Sequence, residues 1–412
     1  MDTIKNYDNG LTLIVSEGGA LSCSFAIMIG TGSVNETNEN NGISHYIEHM
    51  TFKGTNKYNS YEITEILDNN GASFNAYTSN ETTCFYAQTI VDKLESTFSV
   101  MSNMVYNSTY PDDEAKKEKG VIIEEIKMSN DNPEDVCFDL AASAYFGNSG
   151  YGRTILGTSK NVASFKKQDI LRYLKDYYTA ENTVISFAGN LTLKEAERLV
   201  EEYVLPYVNT SKTASSTKRN ISNKKQFLSR DKDVEQVHFC LTFPSVSYDS
   251  PSRVASEMAV ALLGGGMSSR LFRKIREELG LAYSVYSFAS RYKDVGTVSI
   301  YAGLNGDKVD SGFNAVIDLI NNVNKNGITE AEFTKVKNSI KASTVFALEK
   351  PSTKVQLFSR YYLATKKLYK YEDRIKALDS VMINDVLEKL KEFDFNNMSS
   401  AIVGKNVKPL KI

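Results

Sequence analysis

The chain has 412 residues, too many for one ordinary hydrophobic core, so two or more domains are expected. Hydrophobic residues at 42% and charged residues at 24% exclude extended disorder, and a formal charge of -2 with lysines interleaved among acids excludes the basic stripe of a nucleic-acid binder. The longest apolar run, MAVALL at 258–263, is far too short to span a bilayer, so no membrane span is expected.

The polar start MDTIKNYDNG carries neither the apolar core of a signal peptide nor an Arg-rich presequence. A cytoplasmic location is therefore expected, or an organelle matrix if a presequence was removed. Residues 10–16 and 22–30 read as strands around a Gly-Gly turn. The stretch GISHYIEHMTFKGT at 42–55 reads as helical and holds two of the three histidines. A second helix at 61–70 stops at Gly71, and 72–77 with 82–90 alternate as a hairpin. Helices follow at 91–106, 112–129 and 134–146, the last two opened by Pro111 and Pro133. A helix at 168–178, a buried strand at 183–189 and a helix at 193–203 close the first half.

Residues 209–226, NTSKTASSTKRNISNKKQ, have no apolar period and read as a linker between an N-terminal domain (1–208) and a C-terminal one (227–412). The second half repeats the order of the first: a strand at 236–243, a helix at 252–262, strands at 282–290 and 297–302, helices at 307–324 and 329–348, and a last strand at 399–403. The fold class is therefore α+β, with two related α/β domains, each an antiparallel-rich mixed sheet packed against helices. Cys23, Cys84, Cys137 and Cys240 fit no metal spacing and read as buried free thiols. His238 reads as a structural strand residue, and Gly264 to Gly266 as a helix-ending turn rather than a phosphate loop.

The chemistry concentrates at 42–55. His45 and His49, four residues apart, project from one helical face and can converge on a single ion, with Glu48 close to that face. A catalytic zinc takes three protein ligands and leaves a position for water, and a carboxylate beside it acts as base. This is the H-x-x-E-H order. The helix at 112–129 offers Glu114, Glu118, Glu124 and Glu125 for the third ligand. Glu118 and Glu125 share a face two turns apart, so one can bind metal while the other hydrogen-bonds a ligand histidine.

HYIEH followed by Glu125 resembles the pitrilysin or insulinase (M16) metallopeptidase family, in its mitochondrial-processing-peptidase-like branch. The family interval of about 76 positions selects Glu125, which lies 76 positions after His49. Further matches are Phe52 to Thr55, NAYTSNETT at 75–83, ILGT at 155–158 and GGGMSSRLFRKIREELGLAYSVYS at 264–287. The resemblance implies a zinc-dependent endopeptidase acting on extended, basic or presequence-like peptides inside a closed chamber of which this chain forms half, a clamshell-like arrangement. It implies one Zn2+ per chain on His45, His49 and Glu125, Glu48 as general base and Glu118 as a functional glutamate. Arg276 and Tyr283 match the family's substrate-contacting pair, and Phe52 a residue of the pocket after the cleavage site. The peptide would add as a strand to the edge at 72–78, through Phe74, Asn75 and Ala76, and Asp135 with Asp139 would recognise a basic residue. A homodimer is implied, because both sets of residues stand on one chain. The alternative, a non-catalytic scaffold or peptide-binding subunit, sits poorly with ligands and base that are all present.

Overall fold

The computed structural model describes residues 2–214, 221 and 223–410. Part of the linker at 209–226 therefore lies outside the described residues. In chain order the strands are β1 (Asp2–Asn6), β2 (Thr12–Glu17), β3 (Ser22–Ile29), β4 (Ser73–Thr78), β5 (Thr83–Ile90), β6 (Thr183–Gly189), β7 (Phe227–Asp231), β8 (Gln236–Ser245), β9 (Ala282–Arg291), β10 (Gly296–Asn305) and β11 (Ser399–Gly404). The helices are α1 (Ile43–Thr51), α2 (Ser60–Asn69), α3 (Leu94–Asn107), α4 (Asp112–Asp131), α5 (Pro133–Phe146), α6 (Ser159–Ser164), α7 (Lys167–Tyr177) and α8 (Leu193–Tyr203). They continue as α9 (Arg253–Gly264), α10 (Val309–Asn326), α11 (Glu330–Glu349), α12 (Pro351–Thr365), α13 (Tyr371–Ser380) and α14 (Ile383–Leu390). No helix among the described residues is long and apolar enough to cross a membrane.

Two compact units result, and neither is a continuous stretch of chain. The first joins Met1–Lys127, Thr154–Arg219 and Val345–Tyr369; the second joins Met128–Arg153, Asn220–Thr344 and Lys370–Ile412. The sheet of the first unit runs β1-β2-β6-β3-β5-β4 and that of the second β7-β11-β8-β10-β9. Each contains one parallel pair, β2 with β6 and β7 with β11, and is otherwise antiparallel. Apart from the added β1, the two sheets have the same strand order and the same senses. The repeat seen in outline in the sequence is a repeat of topology.

Both sheets are covered on both faces, which is why their central strands are buried at nearly every position. Along β3, Phe25, Ile27 and Ile29 enter the main core with Phe98 of α3 and Ile47 of α1, whereas Ala26 and Met28 face Val355 and Leu363 of α12. Along β8, Phe239, Leu241 and Phe243 pack with Met258 and Leu262 of α9, whereas Cys240 faces Val136, Cys137 and Ala141 of α5. One long helix thus closes the back of each sheet, and each comes from the other half of the sequence. A division at 209–226 places Asp135 and Asp139 with the first half in sequence; in space α5 belongs to the second unit.

The sequence reading assigns no element to β1, β7 or α12 to α14. DTIKN and FLSRD are short, half-exposed edge strands without alternation, and α12 turns buried Ser359 as well as Val355 and Phe358 to its sheet. Ser359 and Ser186 share a 2.7 Å hydrogen bond there, so the polar residue that breaks the pattern is satisfied inside. All four cysteines are buried free thiols. Gly264 ends α9 where a Cβ would collide with the Ser287 backbone nitrogen of β9, so this glycine serves close packing.

Candidate metal centre

The metal centre starts with the way α1 begins. Gly42 caps the helix at φ 99°, a left-handed conformation that a side chain disfavours, and a Cβ there would lie 2.7 Å from the Leu156 carbonyl oxygen. The ILGT segment therefore presses directly on the helix entry. Buried Glu36 takes the place of a capping side chain: its Oε2 accepts from Gly42 N and Asn41 Nδ2, each at 2.8 Å, and its Oε1 accepts from Ser44 N at 2.9 Å. Burial raises the Glu36 carboxyl, against the pull of those donors. The Ser44 hydroxyl joins Tyr173 of α7 at 2.8 Å. The helix that carries the histidines is thus locked at its first turn by groups from two other segments.

His45 and His49 lie on one face with ring centroids 4.5 Å apart. Glu125 arrives from α4, and one ligand atom from each of His45, His49 and Glu125 lies within 4.8 Å of the other two. His45 Nε2 is 3.7 Å from Glu125 Oε1, and His49 Nε2 is 3.5 Å from Glu125 Oε2. These separations are too long for strong hydrogen bonds. They approach the edge of a tetrahedron whose corners stand about 2.0–2.2 Å from a central zinc, which is about 3.3–3.6 Å. Burial first, then the neighbouring His49, pushes His45 down to about 3, so its imidazole is neutral and has a lone pair to give. Among the described residues the donor group is two imidazoles and a carboxylate, the donor set of a catalytic rather than a closed structural zinc site. The residues present fit the ion.

Glu118, two turns before Glu125, is 5% exposed. Its Oε1 lies 2.8 Å from His49 Nδ1 and its Oε2 lies 2.7 Å from Lys53 Nζ. Burial opposes ionisation of Glu118, but the hydrogen bonds from His49 and Lys53 prevail and hold the carboxyl below its usual value. An ionised Glu118 only accepts, so Nδ1 of His49 is the donor to it, and the neutral imidazole that a zinc ligand requires would present a bare Nε2 on the side of Glu125. Glu124 points elsewhere and pairs with Lys127 at 2.7 Å on the exposed side. Of the four glutamates offered by this helix, geometry brings Glu118 and Glu125 to the histidines.

Glu48 is buried on the same turn, and its Oε2 accepts from Thr78 Oγ1 at 2.5 Å. Burial raises its carboxyl while the Thr78 bond pulls the other way. Thr78 ends β4, the edge strand of the first sheet, so the strand carrying Phe74, Asn75 and Ala76 runs up to the side chain beside the donor cluster. Phe52, just past α1, stacks on Phe74 at 6.3 Å and meets Phe85 at 6.4 Å. All of these residues belong to the first unit.

The remaining candidates belong to the second unit. Arg276 lies on a π-helical segment (Phe272–Glu278), over the Tyr283 ring at 5.0 Å and the Phe272 ring at 4.8 Å. Tyr283 is 74% exposed, so this pair faces solvent rather than packing into the core. His238 is structural in its surroundings: buried in β8, with Nδ1 2.7 Å from the Tyr301 hydroxyl. Asp135 and Asp139 sit one turn apart on α5, and Asn132 Nδ2 donates to Asp135 at 2.9 Å. Asp139 is exposed at its surface but crowded by neighbouring protein, and that loss of solvation, then the Asp135 charge, pushes it up to about 6, with Arg230 acting in the opposite sense.

A carboxyl raised in the folded state gives its full share of stability below its ordinary value near 3.8 and loses it as pH rises through about 6. Asp139→Asn should therefore raise the thermal midpoint over wild type clearly at about pH 7 and little at about pH 4. Paired thermal melts at the two pH values check this, and an equal gain at both contradicts it.

Sequence reasoning missed Glu36, Lys53 as a partner of Glu118, and Thr78. Glu36 six positions before the glycine was the one signal available, an acid in reach of a helix start.

Models of known families match both halves of the chain. Residues 12–159 match the model for "Insulinase (Peptidase family M16)", and residues 164–340 match "Peptidase M16 inactive domain". Relatives include "Uncharacterized zinc protease YmxG" of Bacillus subtilis (strain 168), 36% identical over 93% of this chain and 94% of its own. An "Uncharacterized zinc protease" of Rickettsia felis is 31% identical over 98% of this chain and 97% of its own. Among solved structures, a protease from Helicobacter pylori has a TM-score of 0.92 at 21% identity, covering 98% of this chain and 99% of its own. A peptidase M16 inactive domain from Pseudomonas fluorescens has a TM-score of 0.91 at 18% identity, with 100% of both chains covered. The last two speak for the fold alone. Two family models lying in chain order and a relative 36% identical along nearly its whole length carry the assignment: the chain belongs to the insulinase-type peptidase family M16.

Proposed function

We propose that the protein is a zinc-dependent endopeptidase that cleaves extended peptides, with His45, His49 and Glu125 as ligands of one zinc per chain. The observation that carries this reading is the meeting of those three donors beside the buried carboxyl of Glu48. Zinc held there supplies Lewis acidity, lowering the pKa of a water and polarising a scissile carbonyl. Glu48 takes the proton of the attacking water and hands it to the departing amine. Burial raises its carboxyl, in keeping with a group that must both accept and return a proton. The Thr78 hydroxyl fixes its orientation.

The substrate backbone adds to β4, whose outer side has no partner strand within the described sheet. Pairing along Phe74, Asn75 and Ala76 gives affinity with little demand on sequence. Phe52, stacked on Phe74, forms an apolar wall for the side chain after the cleavage site. Asp135 and Asp139 supply a preference for a basic residue, and Arg276 with Tyr283 contacts bound substrate. The working form is a homodimer, as the family resemblance implies.

Cleavage of a mixed peptide library by the full chain tests the reading directly. Products should appear with zinc, vanish with a chelator and return on adding zinc back, with basic residues enriched near the cut. A metal-loaded chain that cuts nothing would instead favour a peptide-binding scaffold.

A further inference from the structure

The donor cluster has one cation beside it that the reaction as proposed does not use. Lys53 stands two residues beyond the end of α1, with Nζ 2.7 Å from Glu118 Oε2. Glu118 spends its other oxygen on His49 Nδ1 at 2.8 Å. Three side chains therefore form a line that ends at a ligand atom: Lys53 ammonium, Glu118 carboxylate, His49 imidazole.

The line is anchored at both ends by α1. Backbone hydrogen bonds from Phe52 N to the His49 carbonyl at 3.3 Å and from Lys53 N to the Met50 carbonyl at 3.1 Å carry the last turn of the helix on to Lys53. Lys53 and His49 thus grip the same carboxylate from one rigid segment. Glu118 itself is nearly sealed from water, and Lys53 is three-quarters covered, its side chain 26% exposed. A buried carboxylate with one oxygen unpaired is costly, and the side chain would turn to seek another donor. Among the described residues, Lys53 is the cation that meets Oε2 of Glu118, as His49 is the group that meets Oε1.

We infer that Lys53 is a positioning residue of the metal centre: it holds the Glu118 carboxylate in the plane and orientation that keeps the proton of His49 on Nδ1 and its Nε2 free for the metal. This rests on the proposed zinc site, and it adds a residue acting on the ion through two intervening side chains. Lys53 touches neither ligand atoms nor, in this reading, substrate, so its effect travels wholly through Glu118.

The chain contains three histidines, His45, His49 and His238, so nitrogen-15 NMR of the imidazoles can follow His49 alone. In metal-free wild-type protein at about pH 8, His49 should give the pattern of a single tautomer protonated at Nδ1. Lys53→Met should convert it to a tautomer mixture, as Glu118→Gln should, while Lys53→Arg restores it. In a competition titration against a chromophoric chelator, Lys53→Met should bind zinc about 3- to 10-fold more weakly, less than the roughly 10- to 100-fold typical for losing a direct partner of a ligand. A Lys53→Met protein with the wild-type tautomer and zinc affinity overturns the inference. The NMR reading stands apart from the zinc-site proposal: if wild-type protein bound no zinc, that proposal would fall while the tautomer still tested Lys53.

Discussion

Glu48→Gln should lose peptide cleavage by roughly 10²- to 10⁴-fold, the range for removing a positioned general base, and should still carry zinc. The amide has nearly the volume of the carboxylate and its oxygen can still accept from Thr78 Oγ1, so the fold and the three ligands stay as they are. What the variant lacks is the capacity to take a proton from water. Metal content of the purified variant and its turnover on a peptide found in the library screen, measured side by side, give the test. Full activity would remove Glu48 from the mechanism, and loss of zinc with loss of activity would make it a support of the site.

Glu125→Ala should produce the opposite pattern, in which the metal goes first. Removing one of three ligands leaves two imidazoles and open coordination positions, so zinc affinity should fall by more than about 100-fold, beyond what loss of an outer partner costs, and cleavage with it. Glu124→Ala is the control on the same helix. Its carboxylate pairs with Lys127 on the exposed side, so the variant should match wild type in zinc affinity and rate. Equal behaviour of the two variants would mean that Glu125 is not a ligand. Thermal melts of both guard against a helix that has simply unravelled.

The parts of the site that lie within one helix are legible in the amino-acid sequence alone. His45, Glu48 and His49 follow from helical period, because side chains four apart on a helix are neighbours whatever else the chain does. The choice among Glu114, Glu118, Glu124 and Glu125 narrows by the same rule to two, but separating Glu125 from Glu118 takes the interval of a known family. The structure places both at the histidines with different neighbours, Lys53 at one and open access at the other. Thr78 and Lys53 are illegible because each acts across a tertiary contact that no local pattern announces, whereas Glu36 acts locally but reaches the start of α1 from six residues before Gly42, outside the usual capping position. The strands of both sheet centres are legible from their apolar runs, whereas β1 and β7 escape because each is five residues long with no fully buried position to set a pattern. The helices at 133–146 and 351–365 both open on a proline, Pro133 and Pro351, but the second carries Ser359 among the buried residues of its covering face and so lacks a plain apolar stripe.

The helix that backs the first sheet has a consequence for how the protein is made. Ala26, Met28, Cys84 and Ala188 are shielded on a face closed by Val355 and Leu363 of α12, and those two residues are synthesised more than a hundred residues after the last strand of that sheet. As the chain leaves the ribosome, every element that carries the donor cluster is present long before the surface behind its sheet is covered. The nascent half must hold an apolar sheet face in waiting, a target for chaperones and a hazard for aggregation. Cutting such a gene at the polar stretch between its halves would not yield two modules, since each half would leave with the other's cover.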